Sequence, residues 1–218
     1  MDTATSGPIT ADDVDAVVRR AVDALGGVVE QDWHVPAGSL DWDCWETLEH
    51  VADDLFAYAG QLVPVPAPTT GDVPFEIRQQ RAGGPHSTIF ARAEDGNAGL
   101  IQVLETCGGF LTAVVRTARP ETRAHHIFGV VDPSGFAAMG VIEVLVHLHD
   151  LAGGLGFEWE PDSALSNRVR VRLFPDAPTD TDAWQTLLWA IGRTELPDRE
   201  RLTKWRWYAE PVIHHVND

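Results

Sequence analysis

The chain has 218 residues, with 33 acidic side chains against 16 basic ones and a formal charge of −17. That excess of carboxylates disfavours nucleic acid and anionic membrane surfaces as partners, because both are held by clustered Lys and Arg. A hydrophobic content of 44% is ordinary for a folded soluble protein, and the length suits one good core with a small appended element.

The longest apolar stretches are interrupted by charges or prolines before the ~20 residues that a membrane span needs. "MDTATSGPIT" carries no basic region followed by an apolar one, so the expectation is a short frayed tail and a cytoplasmic protein. Cys44 and Cys107 have no CxxC spacing and are expected to be buried, reduced thiols. Lys204 is the single lysine.

In chain order, "TADDVDAVVRRAVDAL" predicts a first helix. Thr10 is its cap, Asp12 and Asp13 lie in its first turn, and Gly26-Gly27 ends it. "WDCWETLEHVADDLFAYAGQLV" predicts a second helix, with Trp45, Leu48, Val51, Leu55 and Leu62 on an apolar stripe. Asp43, Glu49, Asp53 and Asp54 mark its wetter side, and the prolines of "PVPAPTTGDVP" stop it. "FEIRQQ" and "STIFARA" alternate as a β-hairpin across "RAGGPH".

"NAGLIQVLETCGGFLTAVVRTA" is long enough for a third helix, whose Gly108-Gly109 pair implies a close packing contact or a kink. A fourth runs from near Ser134 to Gly153-Gly154 and is apolar nearly all round, so it should be the most buried. "RVRVRLFP" reads as an edge strand with Arg168, Arg170 and Arg172 on a solvated face. "DTDAWQTLLWAIGR" is a short C-terminal helix capped near Thr181 and closed by Gly192, followed by an aromatic tail. The expected fold is mainly α: a four-helix bundle over residues 1–157, with the hairpin in the crossover between its second and third helices. A small extension, residues 158–218, of strand, helix and tail packs on it.

Four ionisable groups interrupt the fourth helix in "EVLVHLHDL", which costs free energy unless they are paired. At about 100° per residue, Glu143 and His147 lie about 40° apart on one face. Asp150 stays near that face, while His149 falls about 200° from His147 and points away. A Glu and a His one turn apart can bind one divalent ion, and His50, the one histidine in the middle of the second helix, is the best third ligand. His50, Glu143 and His147 would leave one open position, the arrangement of a catalytic zinc. Asp150 would orient a ligand histidine, and Cys44, about 120° round from His50, should not join them.

"LDWDCWETLEHVADDLFAYAGQL", "GFAAMGVIEVLVHLHDLAGGLG" and "LLWAIGRTELPDRERLTKWRW" resemble the DinB-like superfamily. The nearest branch is that of the actinobacterial proteins grouped with mycothiol-dependent maleylpyruvate isomerase. The resemblance runs from about Asp12 to Trp207, and its most specific element is the His…Glu-x-x-x-His-x-x-Asp pattern on His50, Glu143, His147 and Asp150. It implies a bundle fold and a divalent metal, zinc first with nickel as the alternative. It also implies mycothiol as thiol cosubstrate, the metal-bound thiolate acting as nucleophile on a small electrophile in S-transfer or cis-trans isomerisation.

That isomerase has paired histidines where this chain has His147-Leu148-His149-Asp150, and a larger C-terminal domain, so the resemblance carries the metal site further than the substrate. The alternatives are a non-catalytic metal-binding, small-molecule-binding or scaffold protein, and a hydrolase using the same ligands. In the family-like tail, Arg193, Trp205, Arg206 and Trp207 are candidates for the thiol- or substrate-binding mouth, weighed against packing and cation–π roles. His125-His126 could reach the pocket from a loop, and His214-His215 read as solvated. The partners expected are a small substrate and a thiol, and the assembly a monomer or homodimer.

Overall fold

The computed structural model describes residues 7–211 and is mainly α. The helices are α1 (Ala11–Gly26), α2 (Cys44–Leu62), α3 (Gly96–Thr117), α4 (Pro133–Leu155), α5 (Ser163–Leu173) and α6 (Ala183–Ala190). Two minimal antiparallel hairpins join them: β1 (Arg78–Gln79) with β2 (His86–Ser87), and β3 (Ala124–His126) with β4 (Gly129–Val131). Residues 1–6 of the expected frayed tail and the His214-His215 pair lie outside the described residues, and Ile9, further along that tail, is buried in the core rather than frayed.

Local chemistry sets the helix starts. Thr10 and Asp13 form a reciprocal capping box on α1, and Asp43 and Glu46 form another on α2, each satisfying orphan N–H groups of the first turn. Asp132 caps α4 with Pro133 in the first turn, and Asp182, not Thr181, caps α6. The α4 helix runs through Gly153-Gly154 and stops at Gly156, whose φ of 72° is left-handed. Gly154 serves packing instead: a Cβ there would lie 2.5 Å from the Pro36 carbonyl oxygen and 2.7 Å from Cys44 Sγ.

Both α1 and α2 pack against α3 and α4, and α5 docks on α4 and α6. Leu48, Leu55, Leu100, Leu104, Leu111, Met139, Ile142 and Leu145 form the centre of the core, each worth about 1.5–3 kcal/mol of burial. From Gly135 to Leu151 every residue of α4 is buried except His149. Residues 93–117 and α4 are long and apolar enough to cross a membrane, which differs from the expectation drawn from interrupting charges, but 89% of the α4 window is covered by protein. Cys44 and Cys107 are buried free thiols, as expected, and burial pushes them up to about 11 and about 12.

Three expectations are corrected. "RVRVRLFP" is not an edge strand: residues 163–173 are helical, with Asp162 as cap and Ser166, Val169, Arg170 and Leu173 buried at helical spacing. Its arginines are not a solvated face. Arg168 pairs with Asp13 on α1, Arg172 with Asp132 at the head of α4, and Arg170 is buried beside Asn167.

The hairpin exists but shrinks to two residues per strand, Arg78 opposite Ser87 and Gln79 opposite His86. The rest of "STIFARA" bonds to carboxylates rather than to a strand. Asp53 Oδ1 accepts the N–H groups of Thr88 (2.7 Å) and Ile89 (2.9 Å), and Glu49 Oε1 accepts that of Ala91 (2.8 Å). Glu49 and Asp53 are therefore buried, not the wetter side of α2; burial raises both carboxyls above their usual range, and the backbone donors offset it in part.

The Gly108-Gly109 pair shows the expected close contact at one glycine. A Cβ on Gly108 would meet both methyls of Val18 at 2.7 Å, while one on Gly109 meets nothing within 4 Å. Gly109→Ala is expected to stabilise by about 1 kcal/mol through helix propensity. Gly108→Ala is expected to destabilise by about 1–3 kcal/mol of overpacking, less that gain. Urea unfolding of the two variants should give opposite signs.

Candidate metal centre

The α2 and α4 helices run antiparallel, with Cys44 against Gly154 at one end and Tyr58 beside Phe136 at the other. Between these ends, one face of each helix carries polar side chains: His50, Asp54 and Tyr58 on α2, and Glu143, His147 and Asp150 on α4. His50, Glu143 and His147 each offer a ligand atom, all within 4.8 Å of one another, and as a group can hold a metal ion. Glu143 Oε2 lies 3.3 Å from His147 Nε2 and 4.0 Å from His50 Nε2. The two imidazoles meet edge to face, 5.2 Å between centroids. Cys44 is not of the group, and His149 packs against Trp184 on the other side of α4, as its helical phase implied.

The surroundings prepare the donors. His147 Nδ1 is 3.1 Å from Asp150 Oδ2, which leaves Nε2 turned to the group. Arg193 anchors that carboxylate in turn, with Nη2 donating to Oδ2 at 3.0 Å and Nε to Oδ1 at 3.4 Å. Burial would push His147 down, but its bonds to Asp150 and Glu143 outweigh this and raise it. The carboxylates thus favour positive charge at the imidazole, and the same field favours a cation. His50 is pushed down to about 4 by burial and by His147, so it is neutral at pH 7 with a lone pair to give. Glu143 is held below the usual range: burial raises it, and its bond to His147 and the nearby imidazoles outweigh that. This donor set, two neutral-capable imidazoles and one carboxylate, fits zinc or a similar divalent ion.

Two partners of the ligands escape a reading that seeks only ligands. Asp54 lies 3.5 Å from His50 Nε2, and burial, then the Glu143 charge, lifts it well above its usual range. A hydrogen bond between the two carboxyls contributes, raising Asp54 and lowering Glu143. Tyr58 Oη donates to Glu143 Oε1 at 3.4 Å, leaving Oε2 for the imidazoles. The signal for both was present as His50-x-x-x-Asp54-x-x-x-Tyr58, a polar stripe at one-turn spacing inside an apolar helix.

The group opens into a cavity of about 400 Å³, walled by Trp42, Ile142, Val146, Ile191, Arg193, Trp205 and Trp207. Trp42 stands edge-on to His50 and donates its indole N–H to the Gly83 carbonyl at 3.0 Å, so the crossover closes one side. Of the tail residues, Arg193, Trp205 and Trp207 reach this cavity. Arg193 does so with its guanidinium engaged by Asp150. Arg206 does not: it lies over the rings of Phe128 and Tyr208 in a neighbouring cavity. His126 stacks on Trp207 and stands edge-on to Tyr58, and His125 faces Asp72 at 3.9 Å; neither belongs to the ligand group.

Bound ligand stabilises a fold by mass action, about 2.7 kcal/mol at a concentration a hundred times Kd. For a domain of this size, zinc at that excess is expected to raise the Tm by roughly 5–10 °C. A chelator should reverse the shift, read by differential scanning calorimetry.

Comparison with protein-family models, with curated proteins and with solved structures returns no match.

Proposed function

We propose that the protein is a zinc-dependent enzyme of the DinB-like kind, its four long helices a four-helix bundle, that transfers or isomerises through a low-molecular-weight thiol. The observation that carries this reading is the buried group His50, Glu143 and His147 at the wall of a ligand-sized cavity. A divalent ion at such a site supplies one thing: it lowers the pKa of a thiol in its open position, giving thiolate at neutral pH.

The chain's residues do the rest. His50, Glu143 and His147 bind the ion, Asp150 and Arg193 fix the His147 tautomer, and Tyr58 and Asp54 orient Glu143. Trp42, Trp205 and Trp207 wall the cavity and restrict water, which favours attack by sulfur over hydrolysis. A small electrophile, either an activated double bond or a carbon bearing a leaving group, is the substrate class. Mycothiol is the cosubstrate that the family resemblance suggests, nickel is the alternative metal, and the cytoplasm is the compartment where such a thiol is kept reduced.

The test is turnover of zinc-loaded protein on a panel of small electrophiles with and without mycothiol. Thiol-dependent product, lost in Glu143→Ala, is the expected result. Equal turnover of the panel with and without thiol would replace the reading by hydrolysis, and no turnover with stoichiometric metal would replace it by metal binding alone.

A further inference from the structure

We infer that the substrate of the metal cavity carries a flat aromatic ring, and that Trp205 is the residue that selects it. The inference deepens the reading above by naming the body of the electrophile. It rests on the metal centre and not on the thiol.

The charged lining of the cavity is already committed. His50, Glu143 and His147 are the ligand group, and Arg193 is engaged by Asp150 and, through Nη1, by the Ile191 carbonyl at 3.3 Å. Asp41, at an exposed position, is the remaining charge. What is left to hold the body of a substrate is apolar: Trp42, Ile142, Val146, Ile191, Trp205 and Trp207. Ile142, Val146 and Ile191 are buried and β-branched, hence stiff at χ1, so this wall does not reshape itself around its contents. A rigid ring has less freedom to lose against such a wall than a flexible chain.

Two of the three indoles already have partners. Trp42 donates to the Gly83 carbonyl and stands edge-on to His50, while Trp207 is buried among the rings of His126, Phe128 and Trp205. Trp205 is different. It is 39% exposed, its one ring partner among the described residues is Trp207, at 5.6 Å and tilted by 45°, and it also borders the neighbouring cavity. The indole is thus a partition with uncovered surface and not a core side chain.

The chain fixes it there from both sides. Before it, Trp189 donates to the Glu200 carbonyl at 2.9 Å and Arg201 donates to that of Gly192. After it, the Tyr208 N–H donates to the Leu173 carbonyl at 2.8 Å. Gly192, at a φ of 71°, lets the strap close on the end of α6: a Cβ there would lie 2.5 Å from the Leu202 carbonyl oxygen and 3.4 Å from Trp205 Cδ1. An uncovered indole held in place gains from a second ring an attraction that an aliphatic group of equal size does not supply.

The test uses cobalt-loaded protein and two hydroxamates of equal carbon count, benzohydroxamate and cyclohexanecarbohydroxamate. The hydroxamate chelates the ion, which confines the body to the metal cavity, and affinities are read from the cobalt d–d bands. The quantity compared is the phenyl-to-cyclohexyl affinity ratio within one protein, in which any change at the metal itself cancels. The native ratio should exceed that of Trp205→Leu by about threefold or more, the scale of one aromatic pair. Trp205→Phe keeps a ring and should hold the ratio within about twofold of native. Equal ratios in native protein and Trp205→Leu would overturn the aromatic selection and leave the metal centre standing. A ratio that falls as far in Trp205→Phe as in Trp205→Leu would also overturn it. Cobalt that is not bound, or whose bands neither hydroxamate changes, would overturn the open metal centre and this inference together.

Discussion

His50→Ala and His147→Ala are each expected to lose stoichiometric zinc binding. The loss in affinity should exceed the 10–100-fold that follows from disturbing a residue behind a ligand. The two variants should differ in stability. His147 is buried between Glu143 and Asp150, and its removal leaves two buried carboxylates short of a partner, so His147→Ala should also destabilise the fold by about 3–5 kcal/mol. His50 lines the cavity with its side chain 20% exposed, so His50→Ala should keep the fold and lose the metal. Metal analysis after dialysis, together with urea unfolding of the metal-free proteins, separates the two effects. Zinc retained at the wild-type level in His50→Ala would place the metal elsewhere.

Asp150→Asn is the second large effect. Asp150 accepts from His147 Nδ1 and from two nitrogens of Arg193, and those bonds hold it below the usual carboxylate range although burial opposes this. An amide has no charge, and with its oxygen in place of Oδ2 its NH2 group would face the Arg193 Nε donor, so it holds Arg193 and the tautomer with Nε2 free less well. Zinc affinity is expected to fall by about 10–100-fold, or about 1.4–2.7 kcal/mol. Competition with a chromophoric chelator measures it. Arg193→Gln should act in the same direction and add little to Asp150→Asn, because both changes break one chain of contacts. Full additivity in the double variant would show that Arg193 does not act through Asp150.

What the sequence discloses about this site follows from how each residue is surrounded. Glu143 and His147 are legible because α4 is apolar all round, so two ionisable groups one turn apart demand a reason. His50 is legible because it is the histidine that interrupts the α2 stripe. Glu49 and Asp53 mislead in the same helix. Their partners are backbone N–H groups of residues 88–91, which have no signature in residue type, so two buried carboxylates look like a solvated edge.

The α5 segment fails for a different reason. A short alternation such as Arg168 to Leu173 fits a period of 2 about as well as 3.6, and the deciding signal is the Asp162 cap six to eleven residues upstream. The three-residue strands β3 and β4 are too short to leave a pattern, yet they set His126 against Tyr58 and Trp207. Asp54 looks like its neighbour Asp53 in residue type, and what separates the two is its one-turn spacing from His50 and Tyr58, the face that α2 packs toward Glu143.

X-ray absorption at the zinc edge, with and without mycothiol, tests the central claim most directly. Without thiol, the expected shell is two imidazole nitrogens and carboxylate or water oxygen at about 2.0–2.2 Å. With thiol, one sulfur scatterer should enter at about 2.3 Å while both imidazoles remain. A shell without histidine, or one that gains no sulfur when thiol is added, would contradict a thiol-accepting centre on His50, Glu143 and His147.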